Sequence, residues 1–164
     1  MSSVVSIQFV SKIPKKIAAL GEDKYMDAAM YYASLLFKGV TLDDPCTVDI
    51  NFTKPAGGYL GLCEYHGDGE VEITINPSQS TRSSLICLAH EMVHARQFVT
   101  GEMKDSSKGA DYTVWKGKHI HESSLNYYDL PWELDALGRE YGLYRRWLES
   151  RKYQYSAPWA NTNF

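Results

Sequence analysis

In the stretch Cys87-Leu88-Ala89-His90-Glu91-Met92-Val93-His94-Ala95-Arg96, two histidines stand four residues apart and a glutamate follows the first. On a helix this spacing puts both imidazoles one turn apart on the same face, close enough to reach one metal ion. Glu91 can then address a water held by that metal. The chemistry such an arrangement serves is hydrolysis, with Zn2+ as the cofactor the residue types imply.

A catalytic zinc takes three protein ligands and keeps one position open for water or substrate, so His90 and His94 need one more partner. The extended pattern His-Glu-x-x-His-x-x-Gly-x-x-His is absent, because Gln97 and Thr100 stand at the glycine and final histidine positions. A metzincin is thereby excluded. The remaining candidates are His66, His119, His121, Glu133 and Asp135. Glu133 shares a helical face with Ala136, Leu137, Glu140, Tyr141 and Tyr144, and that face points to the core. Asp135 precedes Arg139 by four residues, the spacing of a surface ion pair. Periodicity therefore selects Glu133, which also lies in a first helical turn, where the dipole favours an ionised carboxylate. His121 is its main rival.

These residues require elements to hold them. The helix bearing the two histidines is predicted to start at Ser78 or Ser80 as N-cap and to run to about Gly101. Leu85, Leu88, Ala89, Met92 and Val99 lie on one face of it, and Ile86, Cys87, Val93 and Phe98 on the others, so it is largely buried. Burying two imidazoles and a carboxylate there costs several kcal/mol unless they are paired, hydrogen-bonded or metal-bound. The helix bearing Glu133 opens at Asp129-Leu130-Pro131, with Pro in the first turn, and is predicted to reach about Arg151. Within it Tyr141, Tyr144 and Trp147 recur at core-packing spacing.

Upstream, an N-terminal helix is predicted from Glu22 to Lys38 on Met26, Ala29, Met30, Ala33, Leu36 and Phe37, with Gly39 as its stop. Ile7, Phe9 and Val10 suggest a short strand before Pro14. Residues 46–52 and 71–75 alternate apolar and polar, and 59–65 lies between turns at Pro55-Ala56-Gly57-Gly58 and His66-Gly67-Asp68-Gly69, which predicts a three-stranded antiparallel meander. Residues 102–109 read as a loop. Tyr112 to Trp115 and Lys118 to His121 read as a hairpin over Lys116-Gly117. The expected class is α+β, with residues 1–152 as one domain and 153–164 as a tail that is extended over the surface or mobile.

Composition narrows the partners. The 164-residue chain has a net charge of -3 and no long Lys/Arg block, so no nucleic-acid partner is expected. Cys46, Cys63 and Cys87 lack C-x-x-C spacing and read as reduced thiols. Met1-Ser2-Ser3-Val4 opens no leader-like pattern, and no apolar run approaches membrane-spanning length. A cytoplasmic or virion-associated protein is expected, with no membrane partner.

His90-Glu91-Met92-Val93-His94 followed by Pro131-Trp132-Glu133-Leu134-Asp135-Ala136 resembles the gluzincin class of zinc peptidases. The likeness is greatest to small single-domain forms with a Glu-x-x-Ala third-ligand motif, including the IrrE-like and phage-encoded minimal gluzincins. The SprT-like proteases, which usually take a histidine as third ligand, are a looser likeness. The resemblance implies a zincin-like fold, His90, His94 and Glu133 as zinc ligands, Glu91 as general base, and Glu70 to Ile75 as the strand beside which an extended peptide lies. The function so implied is a zinc metallopeptidase acting on a peptide or protein substrate. Tyr127, Tyr128, His119 and His121 are the candidates for stabilising the oxyanion. The alternative is a non-catalytic, zinc-stabilised structural or binding protein, such as a phage virion component. An intact Glu91 favours the enzyme, since a structural zinc has no need of a base.

Overall fold

The computed structural model describes residues 5–15, 22–153 and 157–161. The leader reading at residues 1–4, and the tail residues 154–156 and 162–164, lie outside them. In chain order the elements are β1 (Val5–Phe9), α1 (Glu22–Leu36), β2 (Cys46–Asn51), β3 (Gly61–Gly67), β4 (Glu70–Ile75), α2 (Thr81–Val99), β5 (Met103–Asp105), β6 (Tyr112–Trp115), β7 (Lys118–His121) and α3 (Pro131–Arg151). The class is α+β, with one four-stranded and one three-stranded sheet among the described residues.

The larger sheet runs β1-β2-β4-β3. It is mixed, and the expected antiparallel meander is not formed. β4 lies between its two predecessors, parallel to β2, with Val48 opposite Val71 and Ile50 opposite Ile73, and antiparallel to β3. Burial explains the order. Val71, Ile73 and Ile75 all enter the core, which suits a central strand, whereas most of β3 is exposed, which suits an edge. The link after β2, with a short 3-10 turn at Ala56–Gly58, carries the chain past the position β4 then takes. Asp68 and Gly69, at φ 51° and 80°, turn β3 back into β4 as a tight hairpin.

One face of this sheet, formed by Cys46, Val48, Ile50, Val71, Ile73 and Ile75, packs into the core with α1 and α2. The core face of α1 is rotated from the predicted one. Met30 is exposed, and Tyr25 and Tyr32 are buried instead. Their hydroxyls make this possible, one hydrogen-bonded to Ser84 Oγ at 2.9 Å and the other donating to the Leu85 carbonyl at 3.1 Å. Ser80 caps α2 by accepting from the Ser83 N–H at 3.1 Å, and the helix is buried over most of its surface as expected.

After α2 the expected loop contains β5, which pairs with β6. The predicted β6–β7 hairpin is present, turning on Lys116 and Gly117 at φ 47° and 83°. In the tail, residues 157–161 are not extended over the surface. Ala160 is buried, its carbonyl accepts from Tyr144 Oη at 3.0 Å, and Trp159 stacks on Trp147. Of the aromatic set on α3, Tyr144 and Trp147 are core residues while Tyr141 is exposed. No helix among the described residues is long and apolar enough to cross a membrane. Cys46, Cys63 and Cys87 are free thiols.

Candidate metal centre

α2 and α3 pack side by side and bring the two motifs together. His90 and His94 project from one face of α2, and Glu133 meets them from the first turn of α3, where Pro131 occupies a position whose N–H would lack a helical partner. The ligand atoms lie within 4.8 Å of one another, and the group can hold a metal ion. His94 Nε2 lies 3.0 Å from His90 Nε2. Glu133 Oε2 is 3.2 Å from the first imidazole and its Oε1 3.4 Å from the second.

The far nitrogens fix the tautomers. His90 Nδ1 is 2.7 Å from Glu140 Oε2, an acceptor only when ionised, so Nδ1 carries the hydrogen. His94 Nδ1 is 2.8 Å from Gln97 Oε1. The amide is oriented because its Nε2 donates to the Trp132 carbonyl at 3.0 Å and to Asp135 Oδ2 at 2.9 Å. Both Nε2 atoms therefore present lone pairs to each other and to a carboxylate. A buried cluster of acceptors at these distances requires a cation among them, and the residues present fit a metal ion.

The electrostatics agree with that reading. Burial works to lower the His90 pKa, but the Glu133 and Glu140 carboxylates outweigh it and raise it to about 10. Burial likewise opposes ionisation of Glu133, yet the neighbouring His90 and His94 imidazoles and the Tyr127 hydroxyl hold its carboxyl well below the usual range. Without a metal the cluster captures a proton in its place.

Glu91 is 6% exposed and lines the same hollow of about 330 Å³ as His90, His94, Tyr127, Trp132 and Glu133. Burial raises its pKa, against the lowering influence of His94 and His90. Gly61, at the start of β3, makes room for it. A Cβ there would stand 2.5 Å from Cys87 Sγ and 2.7 Å from Glu91 Oε1. Tyr127, in the 3-10 turn before α3, donates from Oη to Glu133 Oε2 at 2.7 Å.

The other candidates lie elsewhere. His121 is 3.2 Å from Asp111 and stacks on Tyr112. His119 is paired with Ser106 at 2.6 Å, and His66 lies near Glu72 on the exposed edge of the sheet. Asp135 makes the predicted ion pair with Arg139, at 2.8 Å, while its other oxygen reaches inward to Gln97. Of the oxyanion candidates, Tyr127 is the one among the hollow's lining residues. Sequence reasoning missed Glu140, Gln97 and Gly61. Glu140 carried a signal, standing two turns from Glu133 on the same face. Gln97, one turn beyond His94, was read only as a departure from another pattern.

Comparison of the chain with protein-family models, with curated proteins and with solved structures returns no match.

Proposed function

We propose that the chain is a zinc-dependent metallopeptidase in which His90, His94 and Glu133 hold the ion and Glu91 is the general base. The observation that carries this reading is the placement of Glu91, a buried carboxylate facing the hollow into which the three ligand side chains converge. Two imidazoles and one carboxylate, with one side open, form a donor set suited to catalytic zinc. A bound zinc supplies Lewis-acid polarisation of a carbonyl and an acidified water.

The chain's own residues supply the remainder. The raised pKa of Glu91 suits a group that takes a proton at its carboxylate and returns it to the leaving amine. Tyr127 is half exposed, and its phenolic hydrogen can turn from Glu133 toward charge developing on a substrate oxygen. β4 is paired on both sides and has no free edge, so the peptide-binding role implied for Glu70 to Ile75 falls to β3. β3 is the edge strand, and its Gly61, Leu62 and Cys63 line the hollow. A zinc staple without turnover is normally closed by four protein ligands, whereas the group here comprises three among the described residues.

The test is elemental analysis of the purified protein beside Glu133→Ala, His121→Ala and Glu91→Gln, followed by a peptide-cleavage screen. The expected result is one zinc per chain, lost in Glu133→Ala and kept in the other two, with cleavage abolished in Glu91→Gln. A folded wild type that binds no zinc after reconstitution would overturn the reading.

A further inference from the structure

A second hollow, of about 300 Å³, adjoins the metal centre and is not used by the chemistry above. It shares Tyr59, Gly61, His90, Glu91 and Tyr127 with the first, so the two meet at the general base. Away from that junction the walls are Leu60, Ile86, Cys87, Tyr128 and Leu137, with two polar groups that already have partners, Ser83, whose hydroxyl donates to Gln79 at 2.7 Å, and Glu140, paired with His90. The first hollow, by contrast, continues past the ligands to Lys104, Asp105, Thr113 and Glu122. The two sides of the reacting centre therefore differ in polarity.

The apolar side also continues outward. Leu134, Leu137 and Tyr141 recur at helical spacing on the exposed face of α3, and Tyr59, Leu60, Tyr127 and Tyr128 stand exposed around the mouth of the hollow. Most of the large exposed apolar side chains among the described residues are gathered here, as at a ligand-binding groove.

We infer that this hollow is a specificity pocket that takes a bulky apolar side chain, such as Leu, Met or Phe, next to the cleaved bond on the Leu137 side. The inference rests on the peptidase reading for the word cleaved, but the pocket itself does not. An apolar side chain inserted there loses water on both partners and leaves no buried donor or acceptor unpaired. An acidic one would be desolvated beside Glu140. Leu137 is assigned as a specificity-determining residue: it lines the hollow from the middle of a helix and, at 37% exposed, can be changed without entering the core.

The experiment uses a peptide library randomised on both sides of a central bond, with cut sites read by mass spectrometry for the zinc-loaded wild type, Leu137→Lys and Leu134→Lys. Leu134 is one turn earlier on α3, outside the hollow, and controls for added charge. In parallel, zinc-loaded Glu91→Gln is equilibrated with the library, and the retained peptides are sequenced. The wild type is expected to favour Leu, Met or Phe over Ala or Asp at one flanking position by at least about tenfold. Leu137→Lys is expected to lose that preference and gain acidic residues there, while Leu134→Lys keeps the wild-type profile. Failure of the wild type to cut, with apolar residues still enriched on Glu91→Gln, would remove the peptidase reading and leave the pocket standing. Equal use of Leu and Asp in both cleavage and binding would overturn the pocket, as would the same shift in both lysine variants.

Discussion

Gln97 holds His94: its Oε1 accepts from the imidazole Nδ1 at 2.8 Å, and the whole side chain is buried. Because the same amide donates to the Trp132 carbonyl and to Asp135, it ties the second histidine to the turn of α3 that carries Glu133. Gln97→Ala takes this partner from the buried His94 Nδ1 and cuts the link to α3. The expected cost is about 1–3 kcal/mol of stability and a loss of zinc affinity of about 10–100-fold. Competition with a chelator measures the affinity, and an unchanged value in a folded variant would show that His94 needs no such support.

Gly61 is required for space. Gly61→Ala would place a methyl group against Cys87 Sγ and the Glu91 carboxylate, so one of them must move. The expected outcome is overpacking of about 1–3 kcal/mol and, under the peptidase reading, a loss of turnover larger than the loss of zinc. Adding Cys87→Ala to Gly61→Ala opens the nearer contact and should recover part of both. If the double variant is no better than the single one by melting and by turnover, the contact with Cys87 is not the cause.

The juxtaposition of the two candidate ligand motifs was legible because the requirements of metal binding and of helical geometry coincide in them. His90 and His94 must be four apart, and Glu133 follows from the periodicity of α3. The rejection of Asp135 rested on its pairing with Arg139, which the structure bears out. Long-range placement was not legible. Nothing local in Gly61-Leu62-Cys63 says that β3 will lie outside β4, since strand order depends on which strand buries both neighbours. The orientation of α1 was misjudged because Tyr25 and Tyr32 count as polar in a pattern but bury fully once their hydroxyls find Ser84 and Leu85. Leu137 and Tyr141 were assigned to the core, and they instead face the mouth of the second hollow or solvent beside it.

Tyr127→Phe separates substrate chemistry from metal binding. The phenol donates to Glu133, and its pKa is raised first by burial and then by that carboxylate, so it stays protonated and able to donate at neutral pH. Under the peptidase reading, the variant should lose about 10²–10³-fold in kcat, as for removal of one oxyanion donor, with zinc content unchanged and KM little moved. Equal losses of zinc and of turnover would make Tyr127 a support for Glu133 alone.

The metal-free protein should lose stability as pH rises above neutrality. In the folded chain His90 reaches about 10, because Glu133 and Glu140 outweigh the effect of burial, against an ordinary value of 6.5. A folded pKa above the unfolded one gives stability that is complete below the unfolded value and disappears as pH climbs through the folded value. The fall in Tm therefore belongs to the window from about pH 6.5 to 10. Each kcal/mol lost should appear as roughly 2–4 °C for a chain of this size. Glu133 acts in the opposite sense, with a depressed pKa whose contribution is present above the ordinary value of 4.5 and is lost as pH falls below it. Under the zinc reading the ion would take the place of the His90 proton, so the loaded protein should hold its Tm across the alkaline window, and loading at pH 7 should release a proton that calorimetry in buffers of different ionisation enthalpy can count. A metal-free Tm that stays flat from pH 6.5 to 10 would mean that the acceptor cluster is relieved by movement of α3 rather than by protonation.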